Sequence, residues 1–322
     1  MLPLIRRSRW PQRGLRNNAP PMSRSALRGQ RDLRPAALAL TLALMLGGCA
    51  ATPPPTPLTA ATPADYYGTL EPFAAENVYF VLTDRFVNGD PGNDQREQGG
   101  AHPTFNRPPP GTPDGVGDNI GYLGGDFKGI AEHADYIGGM GFTAVWLTPI
   151  VDNPDEAFTG GDPAVYGANM SDGGKTGYHG YWGVNFHQLD EHLPSQDLDF
   201  AGLTQALHAK RIKTVLDVVT NHGSPSFTMP VDQPKYGEIY AADGKLLADH
   251  QNLTPDQLKP DSNPLHRFYR AEKDLVQLSN LDDRRPEVLD YFVSAYSQWL
   301  DQGADALRID TIGHMPHAFW KS

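Results

Sequence analysis

The sequence predicts an α/β fold built on a parallel β-sheet, and three patterns indicate it. Four apolar runs rich in β-branched and aromatic residues, typical of buried strands, are separated by segments with helical periodicity. The joins between these segments are short, so we expect the strands to run parallel in βαβ units. Polar residues stand at the carboxyl ends of the first, third and fourth strands, where parallel α/β barrels carry their active sites.

The predicted elements follow one another between residues 77 and 310. The predicted strands are residues 77–83, 142–149, 211–222 and 306–310. The predicted helices are residues 130–140, 197–210 and 286–302. Gly141 and Gly303 end the first and the last helix, and Asp282 or Asp283 is the candidate N-cap of the last. Residues 223–281 hold many Pro, Asp and Gly and no long helical period, so we expect a small irregular domain there.

The charge of the chain is divided unevenly along its length. The 322 residues carry a formal net charge of -11, from 27 basic and 38 acidic residues. Residues 1–48 contain nine Arg and a single acid, Asp32, which leaves 18 basic and 37 acidic residues in the remainder. Such an acidic remainder disfavours nucleic-acid binding and is compatible with calcium and neutral ligands.

The first 49 residues are typical of a bacterial lipoprotein signal peptide. An Arg-rich start, for which Met22 is an alternative first residue, precedes an apolar run too short to span a bilayer, and Leu46-Gly47-Gly48-Cys49 follows it. Cys49, the single cysteine, would be the lipidated residue, and disulfides within the chain are excluded. Residues 50–73, rich in Pro, Thr and Ala, then form a tether. We therefore expect an exported bacterial lipoprotein anchored to a membrane, facing the periplasm or the cell surface.

A turn rich in oxygen-bearing side chains follows the first predicted strand. Asn88, Asp90, Asn93 and Asp94 lie in one Gly/Pro segment, and hard cations such as Ca²⁺ prefer such ligands. Asn and Asp are equally common in ordinary turns. Composition alone leaves calcium binding and a plain turn both open.

A second polar segment carries aromatic rings between glycines. Its sequence is Gly177-Tyr178-His179-Gly180-Tyr181-Trp182-Gly183. Exposed aromatic rings suit stacking on the apolar face of a sugar. The alternative is a small satellite core beneath the loop.

The fourth strand places two charges on one face. Side chains alternate along a strand, so Arg308 and Asp310 project together. Burying two adjacent charges costs free energy unless they form an ion pair or bind a ligand. A guanidinium beside a carboxylate keeps the carboxylate ionised and fixes the rotamer of its side chain. This arrangement suits a nucleophile, although a structural ion pair at a strand end is the alternative.

Several of these segments resemble ordered sequence blocks of the α-amylase superfamily, glycoside hydrolase family 13. The blocks are residues 141–149, residues 217–222 from Asp217 to His222, residues 306–310 with His314, and, more weakly, residues 278–282. The resemblance covers roughly residues 74–322 and is closest to bacterial α-amylases and cyclodextrin glucanotransferases. It implies a (β/α)8 TIM barrel of which this chain holds strands 1–4. The implied domains are residues 74–222 for strands 1–3, residues 223–281 for an irregular domain B, and residues 282–322 for the third helix and fourth strand.

The resemblance also implies roles for individual residues. Asp310 would be the catalytic nucleophile and Arg308 its orienting partner. The residues expected at the substrate site are Tyr181, Trp182, His179, Asp217, His222 and His314. One calcium ion would be held by Asn221, Asn280 and the carbonyl of His314, and a second by Asn88, Asp90, Asn93, Asp94, Gly124 and Asp126.

Two positions depart from the family pattern. Gly313 stands where many members carry Lys, which weakens the expected contact with the next sugar. Asn280 stands where Asp is usual, which removes a charge from the first calcium site.

The implied reaction is retaining cleavage of α-1,4-glucans such as starch, which needs two carboxyl groups about 5–5.5 Å apart. The family's acid/base Glu belongs to strand five, beyond Ser322, and neither Glu272 nor Glu287 is placed to replace it. We therefore expect this chain to be truncated and inactive alone. The alternatives are a transglycosylase similar to cyclodextrin glucanotransferases and a non-catalytic glucan-binding lipoprotein.

Overall fold

The described part of the chain is a four-stranded parallel sheet with helices on one face and two long connections. The computed structural model describes residues 71–96, 98, 102–167, 171–275 and 277–321. The strands are β1 Val78–Val81, β2 Ala144–Leu147, β3 Val151–Asp152, β4 Asn185–Leu189, β5 Lys213–Val218, β6 His222–Pro225, β7 Glu238–Tyr240, β8 Leu246–Asp249, β9 Leu278–Asn280 and β10 Ala306–Ile309. The α-helices are α1 Phe127–Glu132, α2 Ala134–Gly139, α3 Phe200–Ala209 and α4 Pro286–Asp301.

The central sheet has the order β1-β2-β5-β10, and every pair in it is parallel. The predicted parallel α/β arrangement of four strands is confirmed for the described residues. Within these residues the sheet stays open and does not close into a barrel. The carboxyl ends of β5 and β10 lie side by side, because Asp217 pairs with Arg308 and Val218 with Ile309.

Helices cover one face of the sheet and create the main hydrophobic core. Fully buried Phe127, Ile137, Leu203 and Leu207 of α1–α3 pack there together with Leu147 of β2. The opposite face is open at its edge, where Val78 is 39% and Phe80 48% exposed. The first strand was predicted to be buried throughout. It is half-exposed because Val78 and Phe80 lie on the uncovered face, whereas Val81 lies on the covered face and is buried.

Two helix predictions need correction. The helix predicted over residues 130–140 is two short helices that begin earlier, at Phe127, because the Asp126 side chain accepts a hydrogen bond from the Gly129 N–H and caps α1. The two helices meet at His133, which lies outside helical geometry and whose ring Nδ1 contacts the Gly129 carbonyl at 2.8 Å. Helix α4 has the predicted extent, but neither Asp282 nor Asp283 caps it. Arg285 occupies the N-cap position without a side-chain cap.

The connection after β5 is built from short antiparallel pairs. Strand β6 pairs with β9 and β7 with β8, so residues 223–281 hold short strands and 3-10 turns and no α-helix among those described. Tyr269 and Leu281 join the main core, and Tyr236 joins a second cluster. The boundaries proposed for this domain stay predictions.

No helix within the described ranges is long and apolar enough to cross a membrane. The predicted signal peptide, Cys49 and residues 50–70 of the tether lie outside the described residues.

Candidate active site

Arg308 connects two carboxylates at the carboxyl end of the sheet. Its Nη1 donates to Asp310 Oδ1 at 2.9 Å and to both carboxylate oxygens of Asp217, at 3.0 and 3.1 Å. Strand alternation explains the first contact, because Arg308 and Asp310 are two residues apart on one face. The parallel register of β5 and β10 explains the second. The predicted pairing of Arg308 with Asp310 is therefore present, and Asp217 joins it.

Asp217 and Asp310 differ in their access to a ligand. The Asp217 side chain is fully buried, whereas that of Asp310 is 20% exposed. Asp217 also accepts hydrogen bonds from the Tyr181 hydroxyl at 2.7 Å and from Trp146 Nε1 at 3.0 Å. Burial raises the pKa of Asp217, and the bonds from Tyr181, Arg308 and Trp146 oppose that shift. Asp217 thus holds the site together, and Asp310 is the carboxylate that a ligand can reach.

Two neutral histidines lie in the site, His222 near Asp310 and His179 beside Tyr181. Burial lowers the pKa of His222 to about 4 against an opposing contribution from Asp310, and its Nδ1 has no hydrogen-bond partner among the described residues. Burial, together with the charges of Lys175 and Arg85, lowers the pKa of His179 to about 3. Both rings are therefore uncharged at pH 7 and can exchange hydrogen bonds with hydroxyl groups.

The aromatic loop divides its rings between the site and a small core. Tyr181 is half-buried, and burial together with its bond to Asp217 raises the pKa of its hydroxyl, which keeps it protonated. Trp182 is only 4% exposed and packs with Phe158 and Tyr236. A sugar cannot stack on a ring that the protein already covers. This corrects the expected sugar contact of Trp182, which belongs to the satellite core considered as the alternative.

The predicted first calcium site is a polar cluster around Asn221, which is completely buried. Its Nδ2 donates to Asp274 Oδ2 at 3.2 Å, while its Oδ1 has no partner among the described residues. His314 Nδ1 lies 2.9 Å from Asp274 Oδ1. Asn280 is also buried and accepts from the Leu275 N–H at 3.2 Å. An orphaned buried amide oxygen beside a carboxylate suits a hard cation, so these residues fit calcium.

The predicted second calcium site, in the Asn/Asp turn, fits only in part. Asn88 Nδ2 donates to the buried Asp94 at 2.6 Å, and buried Asn93 Oδ1 has no partner among the described residues. Gly124 lies against both Asn88 and Asp94, since a Cβ there would approach each within 2.4 Å. Asp90 is occupied by the turn itself, because the Gly92 N–H donates to its Oδ1 at 2.9 Å and lowers its pKa.

Asp126 has a structural role at the start of α1, and its predicted metal role stays a prediction. Its Oδ1 accepts from the N–H groups of Gly89 and Gly129 at 3.0 and 2.7 Å. Its Oδ2 accepts from the Asp90 N–H at 2.7 Å and from Asn93 Nδ2 at 3.4 Å. A carboxylate offers about four acceptor positions, and these donors take all of them. Asp126 is therefore a cap that joins α1 to the turn.

A further acidic cluster was not predicted from the sequence. Oxygens of Asp152, Asp155 and Glu191 lie within 4.8 Å of one another, as do ligand atoms of Asp190, Glu191 and His192. Lys235 Nζ partly neutralises the cluster from 3.0 Å to Asp155 and 3.5 Å to Asp152. These acidic groups could also hold a metal ion.

Sequence reasoning also missed Trp146 and Asp274. Trp146 lies on the same face as Asp217, donates to it, and has the Arg308 guanidinium over its ring at 4.9 Å. The strand alternation that placed Arg308 could have placed Trp146. Asp274 belongs to an irregular loop, and nothing in its neighbouring residues marks it.

The fold and the site define an α/β protein whose ionisable residues converge at the carboxyl ends of parallel strands. Residues 80–320 match the family profile described as "Alpha amylase, catalytic domain". The chain therefore belongs to the α-amylase family, glycoside hydrolase family 13, whose catalytic domain has the TIM-barrel fold.

Known relatives include two kinds of enzyme. The chain is 30% identical to a cyclomaltodextrin glucanotransferase of Klebsiella oxytoca over 88% of its length, and 30% identical to an α-amylase of Niallia circulans over 89%. These matches cover 38% and 50% of the two relatives. A crystal structure of a cyclomaltodextrin glucanotransferase with a three-domain ABC distribution matches with a TM-score of 0.55 and 32% identity, covering 76% of this chain and 46% of that one. The chain thus spans half or less of the length of these proteins.

Proposed function

We propose that this chain carries the nucleophile half of a retaining glycosidase site that acts on α-1,4-glucans. The observation that supports it most is the difference between the two carboxylates on Arg308: Asp217 is fully buried and Asp310 is accessible. Arg308 keeps Asp310 oriented, and the neutral rings of His222 and His179 offer hydrogen bonds to sugar hydroxyls. Tyr181 offers a partly exposed ring on which a sugar can stack.

The nucleophile can be tested without the second carboxyl group. Fluoride leaves a sugar without protonation, so 5-fluoro-α-maltosyl fluoride should form an ester with Asp310 even where no general acid assists. We expect mass spectrometry to find the adduct on Asp310, and Asp310→Asn to abolish it. The matched control is Asp301→Asn, an exposed carboxylate at the end of α4. An adduct on Asp217, or a chain that binds maltose and forms no adduct, would contradict the assignment.

Hydrolysis of starch needs a second carboxyl group that acts as acid and base. Asp217 is not available, because Arg308, Tyr181 and Trp146 occupy it. Glu272 pairs with Arg284 and Glu287 with Arg267, so neither serves Asp310. We therefore expect residues 1–322 alone to release no more reducing sugar from starch than their Asp310→Asn variant. A clear excess over that variant would refute this expectation.

Transglycosylation is a second candidate, because several relatives of this chain are named cyclomaltodextrin glucanotransferases. Water and a sugar hydroxyl would attack the same intermediate on Asp310, so the nucleophile does not distinguish them. Product analysis does, in a protein that contains the complete barrel. Cyclic oligosaccharides from starch would support transglycosylation, and linear products alone would support hydrolysis.

Calcium is the expected cofactor, with Asn221, Asn280 and His314 as its principal residues. A bound ion would join the segment after β5 to the end of β9 and to the segment after β10. Chelation with EGTA should then lower the melting temperature, and added calcium should restore it. An unchanged melting temperature would count against calcium.

Export and membrane anchoring are proposed from the N-terminal sequence alone. Lipidation of Cys49 would place the protein in the membrane fraction after expression in a bacterial host. Cys49→Ser should release it into the soluble exported fraction. Equal partition of both proteins would contradict a lipid anchor.

A further inference from the structure

The polar cluster around Asn221 contains a carboxylate outside the sequence blocks of the family. Asp274 accepts a hydrogen bond from Asn221 Nδ2 and contacts His314 Nδ1, so it lies between two of the residues expected at calcium. Asn280, the third, is an amide where an Asp is usual. The cluster thus lacks a charge at position 280 and has one at position 274.

The geometry leaves Asp274 able to bind a cation. Each of its oxygens accepts one close hydrogen bond and keeps a second acceptor position. Its side chain is 24% exposed, so solvent ions can reach it. The Arg270 guanidinium approaches Asp274 only to 3.8 Å and is held by Asp283, which limits its competition with a cation.

The orphaned oxygen of Asn221 is an independent observation that points to a ligand. Asn221 Oδ1 is buried and has no partner among the described residues, while the Nδ2 of the same amide is already bonded to Asp274. A buried acceptor without a donor costs about 1–3 kcal/mol. A cation beside Asp274 would satisfy this oxygen, whereas a protein donor at that position is absent from the described residues.

We propose that Asp274 supplies the carboxylate ligand of the calcium site at Asn221, in place of the charge that Asn280 lacks. The proposal rests on calcium binding, as put forward above, and on no particular reaction with glucans. Charge at a calcium site determines much of its affinity. A carboxylate at position 274 or at position 280 can therefore supply the negative charge that binds the ion.

The experiment is a cycle of two substitutions in the full chain, read by calcium affinity. Terbium luminescence competed by calcium, and isothermal titration, give the dissociation constants of the wild type, Asp274→Asn, Asn280→Asp and the double variant. We expect Asp274→Asn to weaken calcium binding by roughly 10- to 100-fold. Asn280→Asp should restore most of that loss in the double variant. The gain in the double variant also shows that the protein remains folded.

Two controls assign the effect to this site. Asp172→Asn removes a carboxylate of matched exposure, 26%, that bonds Lys175 and Gln277, and should leave the affinity unchanged. Repeating the titrations in an Asp94→Asn background removes the candidate site in the Asn/Asp turn. Calcium binding that Asp274→Asn leaves intact would overturn the proposal alone. A wild-type chain that binds no calcium would overturn both the proposal and the calcium assignment, without bearing on the labelling of Asp310.

Discussion

Arg308 is the residue on which both carboxylates of the candidate site depend. Its guanidinium is positioned by strand alternation toward Asp310 and by strand register toward Asp217. Without it, Asp217 would remain buried with only the neutral donors Tyr181 and Trp146. The same side chain therefore contributes to the stability of the sheet and to the orientation of the proposed nucleophile.

The first prediction concerns removal of this charge. Loss of one partner of a buried ion pair costs about 3–5 kcal/mol, and Arg308 is 35% exposed, so we expect Arg308→Gln to lower the unfolding free energy by about 1–3 kcal/mol. Urea denaturation at pH 7 measures it. Arg211→Gln, at an exposed arginine before β5, should change stability by less than about 0.5 kcal/mol. Equal losses of unfolding free energy in Arg308→Gln and Arg211→Gln would disprove the dependence of the site on Arg308.

The second prediction concerns the acidic cluster at the end of β4. Burial raises the pKa of Asp152 to about 7, with Lys235 opposing, and burial together with Asp190 raises that of Glu191 to about 8. The folded protein therefore holds protons that the unfolded chain releases near pH 4. With respect to these groups, stability should be highest below about pH 4 and should fall as the pH rises from there through the folded pKa values of about 7 and about 8, by at most about 1.4 kcal/mol per pH unit for each proton.

Glu191→Gln separates this effect from other titrations. The variant has no proton to lose, so its stability in EGTA should fall less than that of the wild type between pH 5 and pH 8. Urea denaturation at three pH values gives the slopes. Glu132→Gln, at an exposed position, should keep the wild-type slope. If unfolding free energy changes with pH equally in the wild type and in Glu191→Gln, the pH dependence does not come from Glu191.

Sequence patterns predict the neighbours of residues on strands, because strand side chains alternate between two faces. They do not predict the neighbours of residues that lie in loops. Arg308 and Asp310 follow from alternation alone, and the meeting of Asp217 with them follows from parallel strands that end together. Trp182 was assigned to a sugar because composition cannot show which rings of a loop the protein covers. Asp274 acquires its neighbours only when residues 53 and 40 positions away, Asn221 and His314, fold against it.

Among the elements, Asp126 shows how a short helix depends on its cap. Helix α1 has six residues, too few to be stable by its own hydrogen bonds. The Asp126 carboxylate fixes its first turn and at the same time bonds the N–H groups of Gly89 and Asp90. One side chain thus joins the helix to the turn that follows β1.

The third prediction distinguishes this capping role from a metal role. We expect Asp126→Asn to lower the unfolding free energy by about 2 kcal/mol, since an amide directs its N–H₂ at backbone donors and loses the charge at the helix N-terminus. The loss should be the same in calcium and in EGTA. Denaturation in both conditions checks this, with Asp199→Asn, the cap of α3, as the matched control. A loss that disappears in EGTA would mean that Asp126 binds the ion after all.

Strand order was predictable because the four apolar runs and their helices are consecutive βαβ units. The extents of α3 and α4 also agree with prediction within a few residues. The antiparallel pairs β3–β4, β6–β9 and β7–β8 were not predicted, because each has short strands and two of them join segments more than 30 residues apart. Strands this short lack enough residues for a period to be recognised.

For the whole molecule, the two faces of the sheet have opposite environments. Helices cover the face that carries Val81, which is 2% exposed. The other face carries Val78 and Phe80, and the Phe80 ring contacts Trp146 at 4.5 Å between centroids. In the TIM-barrel fold of this family that face is the interior of the barrel, so apolar residues there are expected to be covered in a closed barrel. In the described residues they face outward.

Two valines of the same strand test whether this face is open in solution. Val81→Thr puts a hydroxyl into the core and should lower the unfolding free energy by about 1–3 kcal/mol. Val78→Thr changes a 39%-exposed side chain and should cost less than about 0.5 kcal/mol in the 322-residue chain. Phe80→Thr should in addition reduce the binding of a hydrophobic dye and the self-association seen by light scattering, because it removes the most exposed ring of the face. If Val78→Thr costs as much as Val81→Thr, the face is covered in solution, and an open sheet is not the state of this chain.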